Sequence, residues 1–449
     1  MSAQSALVLR AKNATTLAPV VYTSGSNFFA SEPYQVINIH TRDFTRVSPL
    51  QPITAFGKHV IFERDKDHDY FDIDEIEVTT VAATGTITTQ QFVDCAGYYL
   101  INNPRYKLTN NQLNSVVVPV QWRRLKDLFG IHCSEEQYNR KKQNYLADQS
   151  VAYLRAALAN GHRFRVKFEL GLNSDRECMQ FVVGFGTRPR FEFDLPELAT
   201  IVNHKGSAST LITNQTTLID SIYLIQNNLH INPSERKAEL DRMDDPPGFY
   251  TLIKRFETNV DYIAAGATTA NITLQSTGTW EAAFFIFQPE EFLDSTTTDS
   301  ASDPYDPFYW SWGVPNSART IYTLTSAATG YTYRRPETFE ICSSSGNVIF
   351  PSQRVDYNLE EYTERFFPHA QAGPTGNISV LTALFTEDLS YPNSILGVYD
   401  LNANGSRLLK LTWPSGSTSS TTGRWAVTTV YVGPNWIQYH KGTAQQILQ

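Results

Sequence analysis

Apolar and polar residues alternate along most of this chain in short runs. In "HRFRVKFELGL", Arg163, Arg165 and Lys167 alternate with Phe164, Val166 and Phe168. The same period of two recurs in "TANITLQST", "WEAAFFIFQ", "RTIYTLTS", "SRLLKLTW" and "WAVTTVYV". Such alternation puts one side-chain set on each face of a strand, one buried and the other wet or covered by something else. Gly, Pro, Asn and Ser separate the runs, and the spacings are too short for βαβ units, so the pattern predicts β-sandwiches.

Two segments change period. "SEEQYNRKKQNYLADQSVAYLRAALANG" places Ala147, Val151, Leu154 and Leu158 on one helical face, with Ser134 as cap, Gln137 reaching back to it and Asn160-Gly161 as stop. "NPSERKAELDRM" opens with Pro233 in a first turn and offers Glu235 and Glu239 to Lys237 and Arg242. Both read as helices in excursions between strands. Asp244-Asp245-Pro246-Pro247-Gly248 continues neither helix nor central strand and divides the chain. The expected domains are an N-terminal arm (1–30), a first sandwich (31–245), a second sandwich (246–433) and a C-terminal tail (434–449). The stretch from Pro289 to Ser317 exceeds ordinary loop length and ends in Phe308, Tyr309, Trp310 and Trp312, aromatics that call for burial in the fold or at an interface.

Composition narrows the class. The 449 residues exceed one ordinary core; 41% are hydrophobic and only 18% charged, which suits a globular chain with surface covered by partners. The net charge of −8 argues against a surface that grips nucleic acid throughout. Cys95, Cys133, Cys178 and Cys342 form no CxxC pair and read as free thiols of a reducing compartment. No apolar run reaches membrane-spanning length, and the first residues do not read as a signal peptide.

The motifs of catalysis are missing from the sequence. There is no GKS or GKT loop, GxSxG elbow or HExxH pair. Gly184 and Gly186 lack the third glycine of a dinucleotide loop, and the His132-Cys133 pair has no third group. Asp65, Asp67 and Asp69 match three positions of a calcium loop, but Tyr70 and Ile76 stand where the glycine and the bidentate Glu are needed, so a solvated charged turn is expected. Arg123-Arg124, Lys126 and Arg140-Lys141-Lys142 read as a solvated helix face diluted by Asp127, Glu135 and Glu136. No catalytic, cofactor-binding or metal-ligating residue is assigned. In the tail, Gly433-Pro434 is expected to end the last strand, leaving Trp436 and Tyr439 as packing anchors.

Several stretches, in order, carry a resemblance. "HVIFERDKDHDYFDIDEIEV", "YLINNPRYKLTNNQLNS", "WRRLKDLF", "LIDSIYLIQNNLHINPSERKAELDRMDDPPGFYTLIKRFE" and "ISVLTALFTEDLSYPNSILGVYDLNANGSRLLKLTW" followed by "VTTVYVGPNWIQYHKGTAQQ" resemble the double jelly-roll major capsid proteins of the adenovirus and tectivirus lineage, most of all those of nucleocytoplasmic large DNA viruses and virophages. The resemblance implies an all-β fold of two tandem eight-stranded jelly-roll β-sandwiches, with short helices in inter-strand loops. It implies a structural protein of the virion and no enzyme: homotrimers of pseudo-hexagonal outline that tile an icosahedral capsid, assembled in the host cytoplasm or nucleus. No cofactor and no sequence-specific nucleic-acid binding is implied. The partners would be the chain itself, neighbouring capsomers, minor capsid or penton proteins and an internal membrane, with Trp310, Trp312, Trp436 and Tyr439 as interface candidates. A second class stays open: a carbohydrate-binding jelly roll acting as a minor capsid or host-attachment protein, with Trp310 and Trp312 in its site.

Overall fold

The computed structural model describes residues 41–64, 69–71, 74–85, 90–107, 118–131, 135–168, 180–181, 188–203, 212–231, 233–245, 249–276, 278–290, 293, 308, 310, 312–315, 331–333, 335–343, 345–358, 363–366, 378–386, 389, 397–401, 407–419, 424–440 and 443–447. The expected N-terminal arm, the acidic residues Asp65 and Asp67, and Cys133 and Cys178 lie outside them.

The alternating runs form antiparallel strands that pair from the outside in. The first half contributes β1 (Thr41–Val47), β2 (His59–Glu63), β3 (Glu75–Thr80), β4 (Asn102–Lys107), β5 (Arg163–Lys167), β6 (Arg190–Asp194) and β7 (Ile219–His230). The second half contributes β8 (Phe249–Ile263), β9 (Thr269–Leu274), β10 (Ala282–Pro289), β11 (Thr338–Ser343), β12 (Val348–Arg354), β13 (Val380–Leu384), β14 (Arg407–Thr412) and β15 (Trp425–His440). In the second half, one sheet runs β8-β15-β10-β13 and the facing sheet β9-β14-β11-β12. First strand thus pairs with eighth, second with seventh, third with sixth and fourth with fifth: the order a long hairpin takes when it rolls up into a jelly roll. The first half repeats it, with β1-β7-β3-β5 facing β2-β6-β4. Its fifth position is not among the described residues.

Helices interrupt the rolls as α1 (Ala96–Tyr99), α2 (Val120–Leu128), α3 (Glu135–Tyr145), α4 (Val151–Asn160), α5 (Pro233–Asp244), α6 (Val355–Tyr357) and α7 (Thr363–Phe366). The single helix expected from Ser134 to Asn160 is two. Leu146 and Asp148 take positive φ (52° and 53°) and break it. Ser150 caps the second, accepting from Tyr153 N at 3.3 Å; the expected cap Ser134 lies outside the described residues. The break turns the Asp148 carboxylate inward against Arg124. The expected core positions Ala147, Leu154 and Leu158 are buried.

Two hydrophobic cores result, and they meet on one sheet. All eight residues of β10 are buried. Ala283, Phe285 and Phe287 face the interior of the second roll. Ala282, Phe284 and Ile286 face the other way and join the core of the first roll. There Trp122 of α2 packs on Phe256 and Phe284, ring centroids 5.3 and 5.8 Å apart, and Phe129 lies 5.6 Å from Phe284. β15 divides its residues the same way, with Val430 and Val432 toward the first roll and Val427 and Tyr431 toward the second.

Gly433-Pro434 does not end the last strand. β15 continues to His440, paired with β8 from Ile263↔Trp425 to Phe249↔Tyr439. Glu281 N donates to Val432 O at 2.8 Å, so Val432 directs its polar groups toward β10. Two residues on, Pro434 aims its nitrogen to the same side. There β10 has ended, its last pair being Ala282↔Val432, and β16 (Thr443–Ile447) reaches back only to Trp436. The missing N–H therefore falls where no strand needs it. Gly433 is demanded by close approach: a Cβ there would stand 2.6 Å from Thr279 O and 3.0 Å from the Trp280 ring.

Phe284→Ala is expected to cost about 3–5 kcal/mol by opening a cavity between the rolls, read from the denaturant midpoint; a loss under about 1 kcal/mol would mean that the rolls do not depend on this contact. Removing residues 434–449 should lower the melting temperature clearly more than removing 441–449, because it also strips β8 of its partners from Phe249 to Lys254; equal melting of the two truncations would contradict the continuous strand.

Candidate assembly interface

The four aromatic interface candidates fall in different places. Trp310 is fully buried in the shared core, and Trp312 is 1% exposed in the core of the second roll, 4.9 Å from Phe287. Neither presents a side chain to another molecule, which removes the aromatic platform that a sugar site would use. Phe308 and Trp310 instead close the seam between the rolls, with Phe308 against Tyr98 and Tyr99 at 5.8 and 4.5 Å. Trp436 is half-buried on β15, in register with Ile447. Tyr439 pairs through its backbone with Phe249 and Ala444. The tail is thus an antiparallel hairpin built onto the last strand.

Among the described residues, an exposed ionic surface lies on the first roll. Its β1-β7-β3-β5 sheet turns Ile76, Val78, Phe164 and Val166 inward and carries ions outside. Register places Phe44 and Arg46 of β1, Glu75 and Glu77 of β3, and Arg163 and Arg165 of β5 on this outer face. Glu77 holds Arg163 and, at 3.2 Å, Arg46; Glu75 holds Arg165. Arg46 also lies 5.6 Å above the Tyr223 ring. The cations remain half-exposed (Arg46 56%, Arg163 57%), and Phe44 is 67% exposed on a strand that is exposed from Thr41 to Arg46. The equivalent face of the second roll is the apolar one sealed by α2.

Beneath that seal lies an ion network that sequence reasoning took for a solvated face. Arg123, Arg124 and Lys126 are all buried. Arg124 pairs with Asp148 at 3.0 Å, donates to Tyr138 Oη, and lies 5.6 Å above the rings of Tyr98 and Tyr138. Asp127 accepts from Tyr98 Oη at 2.7 Å and Lys141 Nζ at 2.6 Å. Burial opposes the ionisation of Asp127, but the Lys141 and Lys126 ammonium groups outweigh it and hold its carboxyl below the usual range. Burial likewise opposes Asp148, and the Arg124 guanidinium outweighs it. For Asp94 the balance goes the other way: burial, reinforced by Asp148, outweighs the Arg124 guanidinium and pushes it up to about 7. Donor atoms of Asp94, Cys95 and Asp148 lie within 4.8 Å of one another, and the cation among them is Arg124. With Asp94 and Cys95 buried, the cluster is closed to a substrate.

The acidic turn is likewise not solvated at its described end. Asp69 is fully buried, accepts from Ile231 N at 2.7 Å and pairs with Arg236 of α5. This pins the helix that leads from the first roll to the second. Arg64, also fully buried, meets Asp74 and Asn228.

No family model matches the chain, and no curated protein matches it. Solved structures do. The chain is similar to the capsid of PBCV-1, with a TM-score of 0.68 at 12% identity over 94% of this chain and 100% of that one. It is similar to the Faustovirus major capsid protein, with a TM-score of 0.66 at 10% identity over 97% of each chain. A PBCV-1 protein fitted into a reconstruction of the virophage Sputnik matches with a TM-score of 0.65 at 12% identity, covering 94% of this chain and all of its own. The chain has the fold of these proteins across nearly its full length: mostly strands in antiparallel sheets, with few short helices.

Asp94 gives the buried network a measurable signature. Its folded value, about 7, lies above the ordinary 3.8. The protonated carboxyl therefore contributes stability that is complete below about pH 4 and lost as pH rises through 7. Asp94→Asn, neutral at every pH, should shrink the fall in melting temperature between pH 5 and pH 8; an unchanged fall would place the titration elsewhere.

Proposed function

We propose that this chain is a major capsid protein whose homotrimers form pseudo-hexagonal capsomers and tile an icosahedral virus shell. The observation that carries the reading is the tandem pair of like jelly rolls, joined sheet face to helices, over the whole length shared with the PBCV-1 and Faustovirus capsid structures. Two like rolls per chain give six in a trimer, an outline that packs hexagonally while needing only three-fold symmetry. The low charged content and the half-exposed ion face suit repeated lateral contacts. The role is structural: the titratable cluster is sealed within the first roll. The work of the chain is to associate, first with itself and then with neighbouring capsomers and minor capsid proteins of the virion, as the rolls 31–245 and 246–433 repeat around the ring.

The carbohydrate-binding reading loses its support with Trp310 and Trp312 buried. Light scattering on the purified protein should give about three times the 50.6 kDa chain, and negative stain should show three-fold particles of hexagonal outline. A stable monomer at micromolar concentration would overturn the reading.

A further inference from the structure

We propose that Arg124 is the moving part of a proton-gated latch on the seam between the rolls: it grips Asp148 while Asp94 carries a proton, turns toward Asp94 when that proton leaves, and lets α2 slacken against the second roll. The latch lies within one chain and holds whether or not the chain builds capsomers. Two enclosed carboxylates and one enclosed guanidinium set it up. Donor atoms of Asp94, Cys95 and Asp148 lie within 4.8 Å of one another. Arg124 is fully buried and stands 3.0 Å from Asp148. Two acids so close, shut away beside a single guanidinium, resist being ionised together. Asp148 has the stronger claim to the charge. Tyr138 Oη donates to it, and Lys142 reaches it at 3.8 Å from the wetter side. Asp94 receives only a backbone donor of that kind, Gln149 N at 3.3 Å, so the proton rests on Asp94.

The groups that face Asp94 come from three directions. They are Cys95 beside it ahead of α1, Arg124 from α2, and Asp148 with the Gln149 amide from the turn into α4. Behind Arg124 stand the rings of Tyr98 on α1 and Tyr138 on α3, each 5.6 Å away. Losing the proton turns Asp94 into a rival of Asp148 for the same guanidinium. The turn that presents Asp148 is ready to give: Leu146 and Asp148 are held at φ of 52° and 53°, backbone that relaxes when its contacts weaken. A second anchor of α2, Asp127 with Tyr98 and Lys141, is made without Asp94. Releasing Arg124 therefore lets α2 pivot on Asp127. The end that swings carries Trp122, the side chain packed on Phe256 and Phe284 of the second roll. With Asp94 near 7 in the folded chain against an ordinary 3.8, the latch is closed in acid and opens as pH rises through 7.

Hydrogen exchange read by mass spectrometry on the full chain, at pH 5 and pH 8 and corrected for the intrinsic rate, tests the latch. Amides of α2 (Val120–Leu128) are expected to lose at least about tenfold more protection at pH 8 than those of β11 (Thr338–Ser343), which lies on the far sheet of the second roll. Asp94→Asn, neutral at every pH, should abolish that difference. Equal protection of α2 at the two pH values overturns the latch. So does an equal loss in α2 and β11, because the proton then acts on the whole fold and not on the seam. A selective loss that persists in Asp94→Asn removes Asp94 as the gate. Asp148→Asn serves if Asp94→Asn does not fold. With the rival charge gone and Arg124 free to pass to it, Asp94 ionises more readily, and over a pH series the loss should move to lower pH; an unmoved loss overturns the latch.

Discussion

The structure depends on one sheet having no wet face. The β8-β15-β10-β13 sheet sends successive side chains of β10 into two different cores, Phe285 and Phe287 into the second roll and Phe284 and Ile286 against the first. A jelly roll standing alone keeps its outer sheet faces in water and alternates accordingly. Here the outer face carries aromatics that bury only when Trp122 and Phe129 arrive from α2. The two rolls share one hydrophobic core across a seam of buried aromatic and aliphatic side chains, unlike a domain contact of the ordinary polar kind.

The platform that supplies Trp122 carries its own constraint. Arg124 and Asp127 lie on the same helix, buried together, and each must meet an opposite charge or a hydroxyl. Asp148 reaches Arg124 because the chain takes two left-handed turns between α3 and α4. Lys141 and Tyr98 do the same for Asp127 from α3 and α1. The helices α1, α2 and α3 and the turn into α4 are thereby tied together by ion pairs and hydrogen bonds. That rigidity lets a nine-residue helix serve as the seat for a sheet. Asp69 and Arg236 extend the same logic to the passage between the rolls.

A division of labour between like surfaces follows. The second roll's outer face is apolar and its partner comes from the same chain, so it is satisfied as the protein folds. The first roll's outer face holds Arg46, Glu77, Arg163, Glu75 and Arg165 in mutual pairs that water can reach. Exposed pairs of this kind add little to stability. They tolerate solvent, so this face needs no cover for the roll to fold.

Sequence alone determined most of the described strands and the two-roll plan. These depend on period-two alternation and on Gly and Pro, which act within a few residues of themselves. It also marked Phe308, Trp310 and Trp312 as needing cover, since large aromatics rarely stay in water. It could not say what covered them, nor that Arg124 and Lys126 are interior, because a cation's partners lie far along the chain and a helix reads alike with its charges wet or buried. The same limit misled the reading of Asp69 and of Pro434: a proline ends a ladder only if a neighbouring strand needs its N–H, and at Pro434 none is there. Local pattern fixes which elements form. Which face of each is the surface depends on distant neighbours, and packing alone decided that.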